Sequence, residues 1–121
     1  MMLSTYDGAP IAPVRIADSF VKRFRGLMGA REIDFVMLLP HTRSVHTAFM
    51  RMPIDVAFVD HREDGTMVIK MVKTNVAPWR GLKASRPSNA VIEAQSGAFA
   101  QWGIEPGLVL RLRPDRVIND D

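Results

Sequence analysis

A chain of 121 residues, 47% apolar and 24% charged, has the composition of a single soluble globular domain and can bury about two-thirds of its unfolded surface. The absence of Cys excludes a disulfide framework, a thiolate nucleophile and a cysteine zinc knuckle, and no apolar run approaches the roughly 20 residues of a membrane-spanning helix. A net charge of +3 permits anionic partners without requiring them; the acidic residues are interspersed along the chain, so nucleic acid is not an expected partner.

The start, MMLSTYDGAPIAP, is punctuated by Gly and Pro and reads as an arm over 1–12 before a single domain over 13–113. It lacks the basic n-region and apolar h-region of a signal peptide. The expected location is therefore the cytoplasm, with a periplasmic or secreted location the alternative where a leader has been trimmed. Val14 and Ile16 predict a short strand. Asp18 or Ser19 is placed to cap a helix whose Phe20, Phe24 and Leu27 or Met28 share a face, and Gly29 to end it. Phe35–Leu39 predicts a buried strand closed by Pro40.

Val45–Met50 and Ile54–Asp60 predict two strands joined through Arg51, Met52 and Pro53. Asp64-Gly65 is a turn, and Thr66–Lys73 the next strand. Asn75–Ser88, with Pro78, Gly81 and Pro87, reads as a long loop, a kind of segment that often carries function. Ala90–Glu93 predicts a strand, and Ser96 starts a short helix carrying Phe99 and Trp102 and ended by Gly103. Pro106-Gly107 turns the chain into Leu108–Leu112, and the polar tail 114–121 frays. About seven strands and two short helices without β–α alternation predict an α+β domain, mainly antiparallel, with a small partly closed barrel-like sheet.

The segment VHTAFMRMPIDVAFVD, Val45–Asp60, sets polar groups into apolar strand sequence, where an unpaired buried polar group costs roughly 2–7 kcal/mol. Paired antiparallel with Phe49 opposite Ile54, it collects Val45, Thr47, Phe49, Ile54, Val56 and Phe58 on one face. His46, Ala48, Met50, Asp55, Ala57 and Val59 fall on the other. His46 and Asp55 become diagonal neighbours, about 7–8 Å apart at Cα. Such a pair is more often an internal polar clamp than acid–base equipment. Neither Ser44 nor Thr47 carries an elbow motif, so His46 and Asp55 stand as catalytic candidates without a nucleophile.

The spacings of His41, His46 and His61 with Asp55 or Asp60 match no metal-ligand signature, and neither metal nor cofactor is expected. Pro78-Trp79-Arg80 sets an indole beside a guanidinium, suited to stacking on a ligand or to anchoring its loop. The basic run Lys22, Arg23, Arg25 and Arg31 reads as a solvated helix face, and the eight Met residues as core filler.

Four segments, RGLMGAR (25–31), VHTAFMRMPIDVAFVD (45–60), PWR (78–80) and AVIEAQSGAFAQWGIEPGLVL (90–110), resemble in order and spacing a widespread bacterial and archaeal family, domain of unknown function 192. The resemblance implies a compact, mostly β domain with a helix after the first strand, and implies no activity. The family's characteristic positions correspond to Gly26, Leu27, Met28, His46, Thr47, Met50, Pro53, Ile54, Asp55 and Asp60. In the branch carrying PWR they include Trp79 and Arg80. Members often carry a Cys after PWR, and here none lies between Arg80 and Ala90; the final turn commonly reads GD, and here it is Gly107-Leu108.

These readings predict a non-catalytic binding module for a small polar ligand or peptide segment, held at His46, Thr47, Met50, Arg51, Asp55, Trp79 and Arg80. An acidic group would pair with Arg51 or Arg80. The alternatives are a hydrolase in which Asp55 orients His46, and an accessory domain that docks a protein partner on an exposed apolar patch.

Overall fold

A computed structural model describes residues 1–17, 34–48 and 50–114. Among them lie β1 (Met2–Thr5), β2 (Pro10–Ile16), β3 (Val36–Pro40), β4 (Ser44–His46), β5 (Ile54–His61), β6 (Thr66–Val76), β7 (Gly81–Lys83), β8 (Ala90–Gln95), α1 (Ala98–Trp102) and β9 (Val109–Arg113). The helix expected from Asp18 or Ser19 to Gly29, residue Phe49 and the tail beyond Pro114 lie outside the described residues.

Seven strands close a barrel in the order β1-β2-β3-β8-β5-β6-β9, while β4 and β7 form a separate two-stranded sheet. Barrel neighbours are antiparallel except β2 and β3, whose Val14 and Val36 stand in parallel register. Parallel neighbours need a long crossover, and the chain between Ile16 and Val36 supplies it. Closure leaves the barrel without the open edges of a free sheet. The expected α+β, barrel-like class is what the chain adopts.

Strand alternation sorts the core into two layers. Leu3, Val14, Leu38, Val59, Ile69 and Ile92 point into the barrel with Phe99 of α1. Met37, Val45, Ile54, Val56, Phe58 and Val91 form a second layer outside it. Alternate residues of β5 serve both layers, so the strand reads as a continuous apolar run interrupted at Asp55.

Three expectations are corrected. The hairpin of Val45–Met50 with Ile54–Asp60 does not form: β4 pairs with β7, Val45 opposite Leu82, and β5 lies between β6 and β8. The reason is at Thr47, whose N–H donates to the Arg80 carbonyl and whose carbonyl accepts from the Trp79 N–H. Those bonds carry the ladder away from β5. The long loop 75–88 accordingly contains a strand, β7. The segment 1–12 is no arm, since β1 lies between β2 and β9 and Leu3 is fully buried.

The Asp64-Gly65 turn forms as expected. Asp64 Oδ1 accepts from the Thr66 N–H at 2.9 Å and the Thr66 hydroxyl at 2.6 Å, and these bonds hold its carboxyl below the ordinary 3.8. Their contribution is present above that value and fades as pH falls through the lower folded one. Gly65 has φ +88°, and a Cβ there would stand 3.0 Å from the Leu112 carbonyl oxygen. Gly65→Ala is therefore expected to lower stability by about 1–3 kcal/mol, read as a shift in the urea midpoint.

Candidate functional site

The β4–β7 ribbon lies over the second core layer. Val45 and Leu82 face inward, Val45 buried and Leu82 packed against the layer. Alternation turns Ser44, His46, Gly81 and Lys83 outward, with Ser44 opposite Lys83 and His46 opposite Gly81. Ser44, His46, Gly81 and Lys83, with Val45 and Leu82 beneath, line a cleft of about 370 Å³. The space over Gly81 is open: a Cβ built there meets no heavy atom within 4 Å. The imidazole Nδ1 of His46 accepts from the Ala48 N–H at 3.3 Å.

Beside the cleft the chain turns through Pro78-Trp79-Arg80, held by Thr47. The fully buried Thr47 hydroxyl donates to the Ala77 carbonyl at 2.7 Å and accepts from the Arg80 N–H at 2.8 Å. With the two backbone bonds to residues 79 and 80, this one residue fixes the whole turn. Thr47→Val keeps the shape and removes the hydroxyl. It is expected to cost about 1–3 kcal/mol, because two backbone groups are left without their partner, measured by chemical denaturation.

Fixed in this way, Trp79 adopts φ +65° and leaves its side chain 61% exposed. A left-handed conformation costs a non-glycine residue roughly 1–2 kcal/mol, and such strain persists only where its surroundings impose it. Trp79→Gly should therefore be more stable than Trp79→Ala by about 1 kcal/mol in paired melts, since both lose the indole and only Gly relieves the backbone.

Asp55 does different work. It shares the inward parity of Ala57 and Val59, is fully buried, and lies where α1 covers the barrel. Oδ1 accepts from the Asn75 N–H at 2.9 Å, and Oδ2 from the N–H groups of Gly97 at 3.0 Å and Phe99 at 3.1 Å. The carboxylate therefore ties β5 to the end of β6 and to the start of α1. The helix itself has no side-chain cap at Gly97, which corrects the expected start at Ser96. The Ser96 hydroxyl instead donates to Asn75 Oδ1 at 2.8 Å.

The predicted site residues thus divide. His46, Arg51, Trp79 and Arg80 are exposed, while Thr47, Met50 and Asp55 are buried. Met50 belongs to the second core layer. The strand pairing that would make His46 and Asp55 diagonal neighbours is absent. Sequence reading passed over two residues. Glu93 is a fully buried carboxylate opposite Met37 and Val56, marked by the same signal as Asp55, a lone acid in an apolar strand. Lys83 lines the cleft, and nothing local distinguishes it from any surface lysine.

The geometry defines a class: a closed seven-stranded barrel carrying a two-stranded ribbon and a strained aromatic turn. The model of the domain-of-unknown-function 192 family, described as uncharacterized ACR, matches residues 3–112. The chain belongs to that family. A UPF0127 protein of Pyrococcus furiosus is 36% identical over 112 residues, covering 88% of this chain and 92% of its own. A UPF0127 protein of Thermococcus sibiricus is 35% identical over 100 residues; the alignment covers 78% of this chain and only 62% of that relative. A crystal structure from Sinorhizobium meliloti 1021, provisionally described as a transcription regulator, superposes with a TM-score of 0.69 at 28% identity and covers 93% of this chain and 89% of that one. No helix among the described residues is long and apolar enough to cross a membrane.

Proposed function

We propose that the protein is a non-catalytic binding module that takes a polar, acidic ligand on the outer face of the β4–β7 ribbon. The observation that carries this reading is the Thr47-fixed turn, which holds Trp79 in a strained backbone beside an open cleft. Strain concentrates at sites where function maintains it. His46 and Lys83 in the cleft, with Arg80 at its edge, supply donors for a carboxylate or phosphate. Thr47 acts through the turn it holds.

The hydrolase alternative loses its geometric support, because both oxygens of Asp55 accept backbone N–H groups and the pairing with His46 is not made by the strands. A protein-docking role asks for a contiguous apolar face. Among the described residues, the exposed large apolar side chains Tyr6, Ile16 and Trp79 lie on separate parts of the chain.

The test is a thermal-shift panel of acidic small molecules and acidic peptides. A ligand at one hundred times its Kd adds about 2.7 kcal/mol and moves the melting point by several degrees. Trp79→Ala and Gly81→Val should each remove that shift. Gly81→Val tests the cleft directly, since valine fits the strand and projects into open space. An undiminished shift in Gly81→Val would place the ligand elsewhere.

A further inference from the structure

We propose that this face binds single-stranded nucleic acid, with one nucleotide seated over Gly81 and its base stacked on Trp79; the inference rests on the binding-module reading above. The interspersion of acids along the chain argues against nucleic acid, but two segments that the fold joins do not share it. Segments 41–53 and 77–89 contain no Asp or Glu at all, and they carry Arg43, Arg51, Arg80, Lys83 and Arg86, every one exposed. The β4–β7 pairing and the bonds of Thr47 bring these two segments together. The carboxylates of Asp55 and Glu93 are fully buried, and Asp60 pairs with Arg62 at 3.3 Å. None of the described acids lies in either of these two segments.

The cationic character also continues beyond the cleft. A second groove of about 570 Å³ runs along β6, lined by Lys70, Lys73, Ser85 and Arg86, and none of its lining residues is acidic. The chain passes from the first cleft to this groove through Gly81–Arg86, and the Ser85 hydroxyl contacts Met71 Sδ at 3.2 Å. A cleft bearing Lys83 that leads to a groove bearing Lys70, Lys73 and Arg86 suits an extended polyanion better than a single acid group. Among polyanions, nucleic acid also brings flat bases, the partner an exposed indole binds by stacking. The acidic side chains of a peptide offer no such face. A single strand is favoured because its bases are free to leave the stack and reach Trp79.

Fluorescence anisotropy of the full chain with a labelled oligothymidylate tests this, with the matching duplex, heparin and polyglutamate as competitors. The expected result is binding that weakens with salt. Its log–log slope should fall by about 0.7 for each of Arg80→Ala and Lys83→Ala. Trp79→Ala should weaken it about tenfold to hundredfold, and Gly81→Val should abolish it with the melting point kept. Three results overturn the proposal: duplex bound as tightly as the strand, heparin or polyglutamate competing equally, or a Trp79→Ala variant that binds as well as the parent. If the strand does not bind but citrate or polyglutamate shifts the melting point and Gly81→Val removes that shift, the nucleic-acid inference fails and the binding-module reading stands. If none of these probes binds, both fail.

Discussion

Asp55→Ala is expected to remove about 3–5 kcal/mol of stability and lower the melting temperature by roughly 10–20 °C. The side chain is fully buried and receives three backbone N–H groups from two separate parts of the chain. Each donor left unsatisfied costs about 1–3 kcal/mol, and partial access of water to the Asn75 and Gly97 amides keeps the total below the full sum. Asp55→Asn retains an acceptor oxygen on one side only and should fall between the two. His46→Ala, on an exposed residue, should stay within about 0.5 kcal/mol. Urea denaturation of the three variants gives the comparison. An Asp55→Ala midpoint near that of the parent would remove the clamp and return Asp55 to the list of groups free for chemistry.

Asp55 also shows what the sequence could and could not supply. A lone acid in an apolar strand marks a buried polar group whatever its neighbours, and the alternation within β5 follows from its pattern: Ile54, Val56 and Phe58 on one side, Ala57 and Val59 on the other. The partner strand was not legible. Local pattern ties β5 to the apolar run before it, but the pairing is decided by Thr47, whose bonds reach residues 77, 79 and 80. No periodicity reports a contact of that separation. The same limit hid β7, three residues inside a Pro- and Gly-rich segment, and β1, whose closure against β9 joins the two ends of the barrel. Local signals fared better where the physics is local, as at the Asp64-Gly65 turn and at Gly103, which ends α1 in the left-handed conformation. The candidate site was half legible. Trp79 and Arg80 stood out as an aromatic–cation pair, whereas the cleft depends on Gly81 facing His46 across a ladder visible only in three dimensions.

Phe99→Ala is expected to cost about 3–5 kcal/mol, the range for truncating a buried phenylalanine. Its ring is fully buried in the barrel layer, 6.4 Å from that of Trp102. The effect should reach beyond a cavity. Helix α1 spans five residues without a side-chain cap, far below the length at which a helix persists alone. It is held by Phe99 from one side and by Asp55 from the other, since the Phe99 N–H is one of the three that Asp55 receives. Removing either anchor loosens the segment on which the other acts, so Asp55→Ala and Phe99→Ala should combine to less than their sum, by about 0.5–3 kcal/mol in a double-mutant cycle. Hydrogen exchange in either variant should accelerate at Gly97–Gly103 before it does in β5 or β8. Strict additivity would mean that the carboxylate and the ring stabilise separate parts of the barrel. Coupling of the expected size makes α1 a plug seated by two anchors at an end of the molecule that contributes nothing to the β4–β7 cleft. Ligand binding by the folded fraction of either variant should then match that of the parent.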